Sequence, residues 1–496
     1  MMPPPVPDVA ERQDPADIIA RARRVLTVQQ EACRRRPVPS VENRRAALRR
    51  LIEAIERHQD ALVEAVNADF GTRSATESRF VEVLGPILQA RHAIAHVGRW
   101  MRTRRRRTER LFTGNSAYVT CQPKGVVGII GAWNFPVYLT LGPLVAAVAA
   151  GNRAIIKHSE HAPHTFRELE KLLAEAFQPD EVAIIAGGPA VGQAFSGLGF
   201  DHLIYTGSGS IGKEVMRAAS GALTPVTLEL GGKSPAIIGP RAALARAATR
   251  IAHGKTFNAG QTCVAPDHAW VPRVHADAFC ADLVSAFRRF VPTISGNPDY
   301  TSLAAPQRAA RIRDLLDDAR ALGADVTSCH VDAGSDRQIP LHIVRRCTPA
   351  MRVTQEELFG PILPVYEYDD FGSLVDRLST QERPLAMYGF GLTRAERRLL
   401  IERCPCGGMT FDDWGWHAFQ HDLPFGGTGH SGFGSYHGEE GFRELSRATP
   451  VLGMRRWFPV TLFYPPYGRS FQKAVLRHYL GKRGAVDPSA PGRTGR

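Results

Sequence analysis

From Gly125 to Leu230 the chain alternates between short apolar runs and stretches of helical spacing. Residues 125–130 form an unbroken apolar run, as a strand buried on both faces requires. Residues 153–157, 182–185, 202–205 and 226–230 repeat that pattern. Between them, residues 143–150, 164–177, 190–196 and 211–220 space their apolar side chains as helices do. Such alternation closes into a parallel sheet with helices on both faces. A second series follows Gly231-Gly232, with helices near 241–258, 276–290 and 307–322 and strands near 269–271 and 361–366. The expected class is α/β, with two doubly wound parallel-sheet domains. Helices at 17–36, 41–70 and 76–107 lead in. Residues 115–122 form a strand outside the main sheet, and residues 446–467 add short extended pieces that include an intersubunit strand.

A chain of 496 residues exceeds what one core holds. The eight cysteines show no CxxC spacing, which argues against a disulfide framework and for a reducing cytoplasm. Cys404 and Cys406 have no second Cys or His pair beside them, so no metal centre is expected. The longest apolar run, 139–151, falls short of the ~20 residues that span a bilayer. The proline-rich segment 1–15 lacks the apolar core of a signal peptide. Much of the net charge of +13 crowds at Arg102, Arg104, Arg105, Arg106, Arg107 and Arg110. With no aromatic interleaving and no nucleic-acid motif, that run reads as a solvated helix end or a subunit contact rather than a nucleic-acid site.

A few short stretches carry chemistry. In Phe257-Asn258-Ala259-Gly260-Gln261-Thr262-Cys263 a cysteine follows a helical run inside a small polar loop. Asn258 and Gly260 let the backbone bend, and small neighbours leave the sulfur open to attack a carbonyl. Glu229 lies in an apolar strand before Gly231-Gly232. Burial raises a carboxylate's pKa towards that of a useful base, although Lys233 offers it a structural ion pair instead. Asn134, between Trp133 and Phe135, can donate to an oxyanion or cap the next helix. Gly207-Ser208-Gly209-Ser210-Ile211-Gly212 is a GxGxxG between strand and helix. Backbone N–H groups hold a diphosphate in that context; a plain tight turn has the same sequence. An ordinary dinucleotide fold would use Glu229 on the ribose, in conflict with its service as a base. Lys157 and Glu160, at the end of the strand 153–157, suit ribose hydroxyls or are surface charges.

Taken together, Trp133-Asn134-Phe135-Pro136, Leu228-Glu229-Leu230-Gly231-Gly232-Lys233-Ser234-Pro235, Asn258 to Cys263 and Glu356-Glu357-Leu358-Phe359-Gly360-Pro361 resemble, in order and spacing, the aldehyde dehydrogenase superfamily. The likeness runs over residues 46–466. Val264-Ala265-Pro266-Asp267 and Gly434-Ser435-Tyr436-His437-Gly438 look like the class that includes coniferyl aldehyde dehydrogenase and the fatty and aromatic aldehyde enzymes. The resemblance implies that Cys263 is the nucleophile and Glu229 the general base, with Asn134 and the backbone amide of Cys263 as oxyanion hole. Lys157 and Glu160 would hold the adenosine ribose. Gly207, Ser208 and Gly212 would meet the diphosphate, Glu357 the nicotinamide ribose, and Phe359 the nicotinamide ring. His158 and Gly209 depart from the usual pattern at the cofactor elements, which leaves NADP open. Glu160 would repel a 2′-phosphate, so NAD is expected.

What the resemblance implies is oxidation of an aldehyde to the acid with NAD(P), through a thiohemiacetal and a thioester on Cys263. The bulk of Trp414, Trp416, His417 and Phe419 points to an aromatic or apolar aldehyde, unless these side chains are ordinary packing. The domains would be a tail (1–15), an NAD-binding domain (16–230), a catalytic domain (231–425), a glycine-rich loop with an oligomerisation arm (426–480) and a second tail (481–496). A homodimer in the cytoplasm, with no nucleic-acid partner and no membrane span, completes the expectation. A coenzyme A-acylating enzyme and a non-catalytic protein on the same fold are the alternatives.

Overall fold

The computed structural model describes residues 14–481; of the tails expected at 1–15 and 481–496, residues 1–13 and 482–496 lie outside them, while Pro15 already opens a helix, Pro15–Arg35, capped by Asp14. Sixteen strands occur among the described residues. In chain order they are β1 (Arg104–Arg106), β2 (Ser116–Pro123), β3 (Val126–Ile130), β4 (Arg153–His158), β5 (Val182–Ala186), β6 (His202–Thr206), β7 (Val226–Glu229) and β8 (Pro235–Ile238). There follow β9 (His268–Pro272), β10 (Asp325–Ser328), β11 (His342–Arg345), β12 (Ile362–Tyr368), β13 (Ala386–Phe390), β14 (Gly408–Phe411), β15 (Gly432–Phe433) and β16 (Ser446–Gly453).

A six-stranded sheet runs β15-β7-β6-β3-β4-β5. Its strands β3 to β7 are parallel, and β15 joins the edge antiparallel, Gly432 opposite Glu229. A seven-stranded sheet runs β10-β11-β12-β9-β8-β13-β14, parallel except for β10. The strand runs are apolar because helices cover both faces; every residue of β3, β6, β8, β9 and β13 is buried. The third sheet is β1-β2-β16.

Local signals set the helix ends. Ser40 accepts from Asn43 N–H at 3.2 Å to open Val41–Phe70, and Gly71 closes it at φ 80°, as capping chemistry dictates. Two expectations change. The helix at 143–150 begins earlier, at Tyr138, with Pro143 inside it. All thirteen of its residues are buried, so packing carries a helix that propensity alone would start at the proline. The helix expected over 76–107 ends at Trp100 after a π turn, Arg79–Leu84. Arg104–Arg106 is strand, Arg104 opposite Val119 and Arg106 opposite Ala117. A helix would spread Arg104, Arg105 and Arg106 around its circumference, whereas a strand turns neighbours to opposite sides.

The chain divides into two compact units. One holds the residues up to Met101 and Cys121–Arg447, with both parallel sheets; the other holds Arg102–Thr120 and the residues from Ala448 onward. The glycine-rich loop, expected with the arm from 426, belongs instead to the first unit, where β15 pairs with β7. Gly432 has φ 112°, and a side chain there would collide with the Leu228 carbonyl, so only glycine reaches this edge. Beyond β16 the extended pieces expected up to 467 give way to a 3-10 turn, Val460–Phe463, and a helix follows at Ser470–Leu480. No helix among the described residues is long and apolar enough to cross a membrane.

Candidate active site

In the first sheet, the loops after parallel strands converge on one cleft. Asn134 follows β3, Lys157 belongs to β4 and Glu160 follows it, Gly207 and Ser208 follow β6, and Glu229 ends β7. The cleft encloses about 640 Å³, and Cys263, Glu357 and Phe359 also line it. Nine of the ten residues singled out above share this wall. The exception is Gly212, where an added side chain would press on Leu230 Cδ2 at 2.8 Å; it lets the helix Gly209–Ser220 lie close to the strand.

Cys263 owes its place to an unusual bend. After the helix Leu244–Thr256, Asn258 (φ 49°), Ala259 (φ 50°) and Gly260 (φ 74°) are successively left-handed. Such backbone costs about 1 kcal/mol for each non-glycine residue. A dense hydrogen-bond set holds it. Asn258 Nδ2 donates to Asn134 O and Gln261 O, each at 3.1 Å, and Asn258 N–H donates to the Glu77 carboxylate at 3.1 Å. Gln261 Nε2 donates to Ser302 O at 3.1 Å, and its Oε1 accepts from Ala304 N–H at 3.0 Å. The bend leaves the Cys263 thiol half-buried on the cleft. Burial, then the Glu357 and Glu229 carboxylates, push that thiol up to about 12.

Glu229 is 2% exposed, and neither carboxylate oxygen has a hydrogen-bond partner. Burial alone drives its pKa well above the carboxylate range. Lys233, the alternative partner, points elsewhere: its Nζ meets Asp267 Oδ2 at 2.5 Å and the carbonyls of Val353 and Glu356 at 3.0 and 2.8 Å. Asp267 Oδ1 in turn accepts from Leu358 N–H at 2.9 Å. The Lys233–Asp267 pair thus ties the residue after Glu357 to the second sheet. Burial, with the charge of Asp267, raises Glu357 to about 7. A side chain on Gly231 would collide with the Glu357 carboxylate, so that glycine makes its seat.

Asn134 Nδ2 donates one N–H to Gln261 O at 3.2 Å, and an amide has a second to offer. The helix-capping alternative for Asn134 is filled by another residue. Glu82 Oε2 accepts from Val137 and Tyr138 N–H at 3.1 and 2.8 Å. Arg73, wholly buried, joins Glu82 Oε1 at 2.8 Å and donates to Asn134 O at 3.3 Å. Sequence reading misses this Arg73–Glu82 pair, because its partners lie more than fifty residues away and nothing local marks it.

The residues expected to hold the cofactor fit a dinucleotide. Lys157 Nζ and Glu160 Oε2 pair at 2.7 Å, a donor–acceptor couple for ribose hydroxyls. The helix Gly209–Ser220 opens at Ser208 with no side-chain cap, so its first N–H groups can take a diphosphate. Phe359, at φ 47°, meets Trp133 edge-on at 5.6 Å. Arg308, also missed in the sequence, lies over the Trp133 ring at 3.6 Å and adds a cation to the cleft. Of the four candidate pocket aromatics, Phe419 packs on Tyr138 and Phe257, both at 6.4 Å. Trp414 packs on Phe257 and is buried, His417 is buried and bonded to Thr410 at 2.9 Å, and Trp416 is exposed. None of the four is among the residues lining the cleft.

A model of the aldehyde dehydrogenase family matches residues 10–451. The probable coniferyl aldehyde dehydrogenase of Caulobacter vibrioides is 45% identical over 469 residues, 90% of this chain and 95% of the relative. A Staphylococcus aureus AldH, solved in a substrate-bound state, superposes with a TM-score of 0.86 at 30% identity, covering 92% of this chain and 99% of that one. The Mycobacterium tuberculosis aldehyde dehydrogenase solved with NAD+ gives a TM-score of 0.79 at 25% identity, covering 90% and 91%. A buried acid, a thiol and an amide on one cleft therefore have a family: the chain belongs to the aldehyde dehydrogenases, enzymes that oxidise aldehydes with NAD(P).

Proposed function

We propose that Cys263 is the nucleophile, Glu229 the general base, and Asn134 with the Cys263 backbone N–H the oxyanion hole. The observation that carries this is the shared cleft: thiol, unpartnered carboxylate and amide line one cavity together with the dinucleotide residues. The raised thiol must give its proton to solvent in the open cleft before the thiolate attacks the carbonyl carbon. As the sulfur bonds, the carbonyl oxygen becomes an oxyanion, and the free N–H of Asn134 suits that charge. NAD, when bound, accepts the hydride that leaves the carbon. Cys263 then carries the acyl group as a thioester. Glu229, free of other hydrogen bonds, takes a proton from water, whose oxygen attacks the thioester and releases the acid and the thiolate. Lys157 and Glu160 would hold the adenosine ribose, Gly207 and Ser208 the diphosphate, Glu357 the nicotinamide ribose, and Phe359 the ring. Gly212 serves by letting helix and strand approach.

Glu160 argues for NAD over NADP, since a carboxylate repels a 2′-phosphate. Glu160→Gln should improve the kcat/KM ratio of NADP to NAD at least about tenfold, a change of ~1.4 kcal/mol; an unchanged ratio refutes the role. An aromatic or apolar aldehyde of the coniferyl type is the substrate we favour, on the name of the Caulobacter relative. Turnover without coenzyme A is expected, because a water-activating base is superfluous where a thiol takes the acyl group. A homodimer, joined through the β1-β2-β16 sheet, and a cytoplasmic location complete the reading. Cys263→Ala tests the central assignment: aldehyde oxidation should vanish while NAD binding by calorimetry stays within about twofold. Normal turnover would refute it.

A further inference from the structure

Three Lys and Arg residues line the cleft around Cys263: Lys157, Arg308 and Arg311. Two have acid partners. Lys157 Nζ pairs with Glu160 at 2.7 Å, and Arg311 with Glu356 Oε2 at 2.9 Å. Arg308 does not. Among the described residues no carboxylate pairs with its guanidinium and no carbonyl accepts from it; the group rests on the face of Trp133 at 3.6 Å. That placement is unfavourable in three ways. Arg308 is the third residue of the helix Pro306–Ala321, where the helix dipole repels a cation. Arg311 carries the same charge one turn on. The side chain is also half-buried, and burial, then Arg311, push its pKa down to about 10. The aromatic face offsets only part of this. A residue that breaks local rules with no evident gain to the folded chain marks a functional position.

Where Arg308 stands selects its anion. Trp133 meets Phe359 edge-on at 5.6 Å, at the end of the cleft assigned above to the nicotinamide. At the adenosine end, Glu160 is followed by His161. Burial lowers the His161 imidazole, and the charge of Arg308 adds to this against the opposite pull of Glu160. Arg308 therefore touches one end and acts on the other. In a dinucleotide the group between adenosine and nicotinamide is the diphosphate. The product carboxylate is the other anion of the reaction. Burial alone raises Glu229, however, so the Arg308 charge is not aimed at the end where the acid forms.

We propose that Arg308 is a second anchor for the cofactor diphosphate, a side-chain cation that adds to the N–H groups at the start of the helix Gly209–Ser220, with Trp133 as its platform. The inference rests on the cofactor reading above and adds a residue to it. A guanidinium donates two parallel N–H groups to phosphate oxygens, and stacking on an aromatic face fixes its plane beforehand. The diphosphate also removes the unfavourable terms: it supplies the missing negative charge at the helix start and separates Arg308 electrostatically from Arg311.

Calorimetry of the cofactor-free protein with NAD and with ADP-ribose, which has the diphosphate but no nicotinamide, tests this. Arg308→Gln should weaken both ligands by the same factor, at least about tenfold. Arg308→Lys keeps the charge and should bind both within about threefold of the parent. Without ligand, the Arg308→Gln protein should unfold no earlier than the parent on heating, because it loses an unpaired cation. Unchanged ADP-ribose affinity in Arg308→Gln overturns the proposal and leaves the cofactor reading standing. So does a loss confined to NAD, which would assign Arg308 to the nicotinamide. A Gln variant that melts below the parent, with no recovery of binding in the Lys variant, overturns it too by making the residue structural. If the parent itself binds neither ligand, the cofactor reading fails and the proposal falls with it.

Discussion

The side chain of Asn258 donates to the backbone oxygen of Asn134 at 3.1 Å. This bond joins the bend before the thiol to the loop that bears the oxyanion amide, and Gln261 O accepts from both side chains. Hydrogen bonds thus couple the two loops to which we assign the chemistry.

Asn258→Ala should accordingly impair chemistry more than cofactor binding. It removes the amide from buried acceptors and forces alanine to φ 49°. Each effect costs about 1 kcal/mol or more. We expect kcat to fall at least about tenfold, with the Kd for NAD within about twofold. Steady-state kinetics with calorimetry reads both; a tenfold loss of NAD affinity with kcat intact would show that the bend serves the cofactor.

The Cys263 thiol should respond to a charge at Glu357. After burial, that carboxylate and Glu229 are what raise it. Removing negative charge favours the thiolate, so Glu357→Gln should shift the pH profile of iodoacetamide alkylation at Cys263 to lower pH. Mass spectrometry of the cofactor-free protein gives the profile. An unmoved profile would mean that burial alone sets the thiol.

Asp267 supplies a pH-dependent tie. Burial by itself would raise its pKa, but the Lys233 ammonium and His268 outweigh it and hold the carboxyl below the usual range. A depressed folded pKa contributes stability above the unfolded value, near ~3.9, and loses it as pH falls through the folded value. Asp267→Asn should cost about 2 kcal/mol at neutral pH, below the full price of breaking a buried pair because Lys233 keeps its two carbonyls. Denaturant titrations should find the deficit constant from pH 5 to 8, on the order of the unfolded pKa and above, and shrinking in acid. A deficit that grows in acid contradicts the pairing.

Much of this molecule is legible because its first parallel sheet is built from continuous apolar runs, and three of the five end at or beside a residue with proposed chemistry: Lys157, Gly207, Glu229. The second sheet is harder. Strands β8, β10, β11 and β14 are four residues each, too short for periodicity to separate from loop; in the first sheet the edge strand β15 is only two. Asn258 and Gly260 announce a bend by residue type, but left-handed Ala259 has no such mark. Arg73 and Glu82 position the oxyanion loop across 61 and 55 residues of chain, a relation that only the folded state displays. The arginine run follows a helical pattern in sequence, and its strand conformation depends on pairing with β2, distant from any local signal.

The thioester on Cys263 is what the mechanism requires above all. Rapid mixing of the Glu229→Gln variant with aldehyde and NAD, followed by acid quench and peptide mass spectrometry, reads it directly. The expected result is a burst of NADH close to one per site, slow turnover afterwards, and the acyl mass on the peptide that contains Cys263. No burst, or an unmodified Cys263 after one, would contradict both the nucleophile and the base.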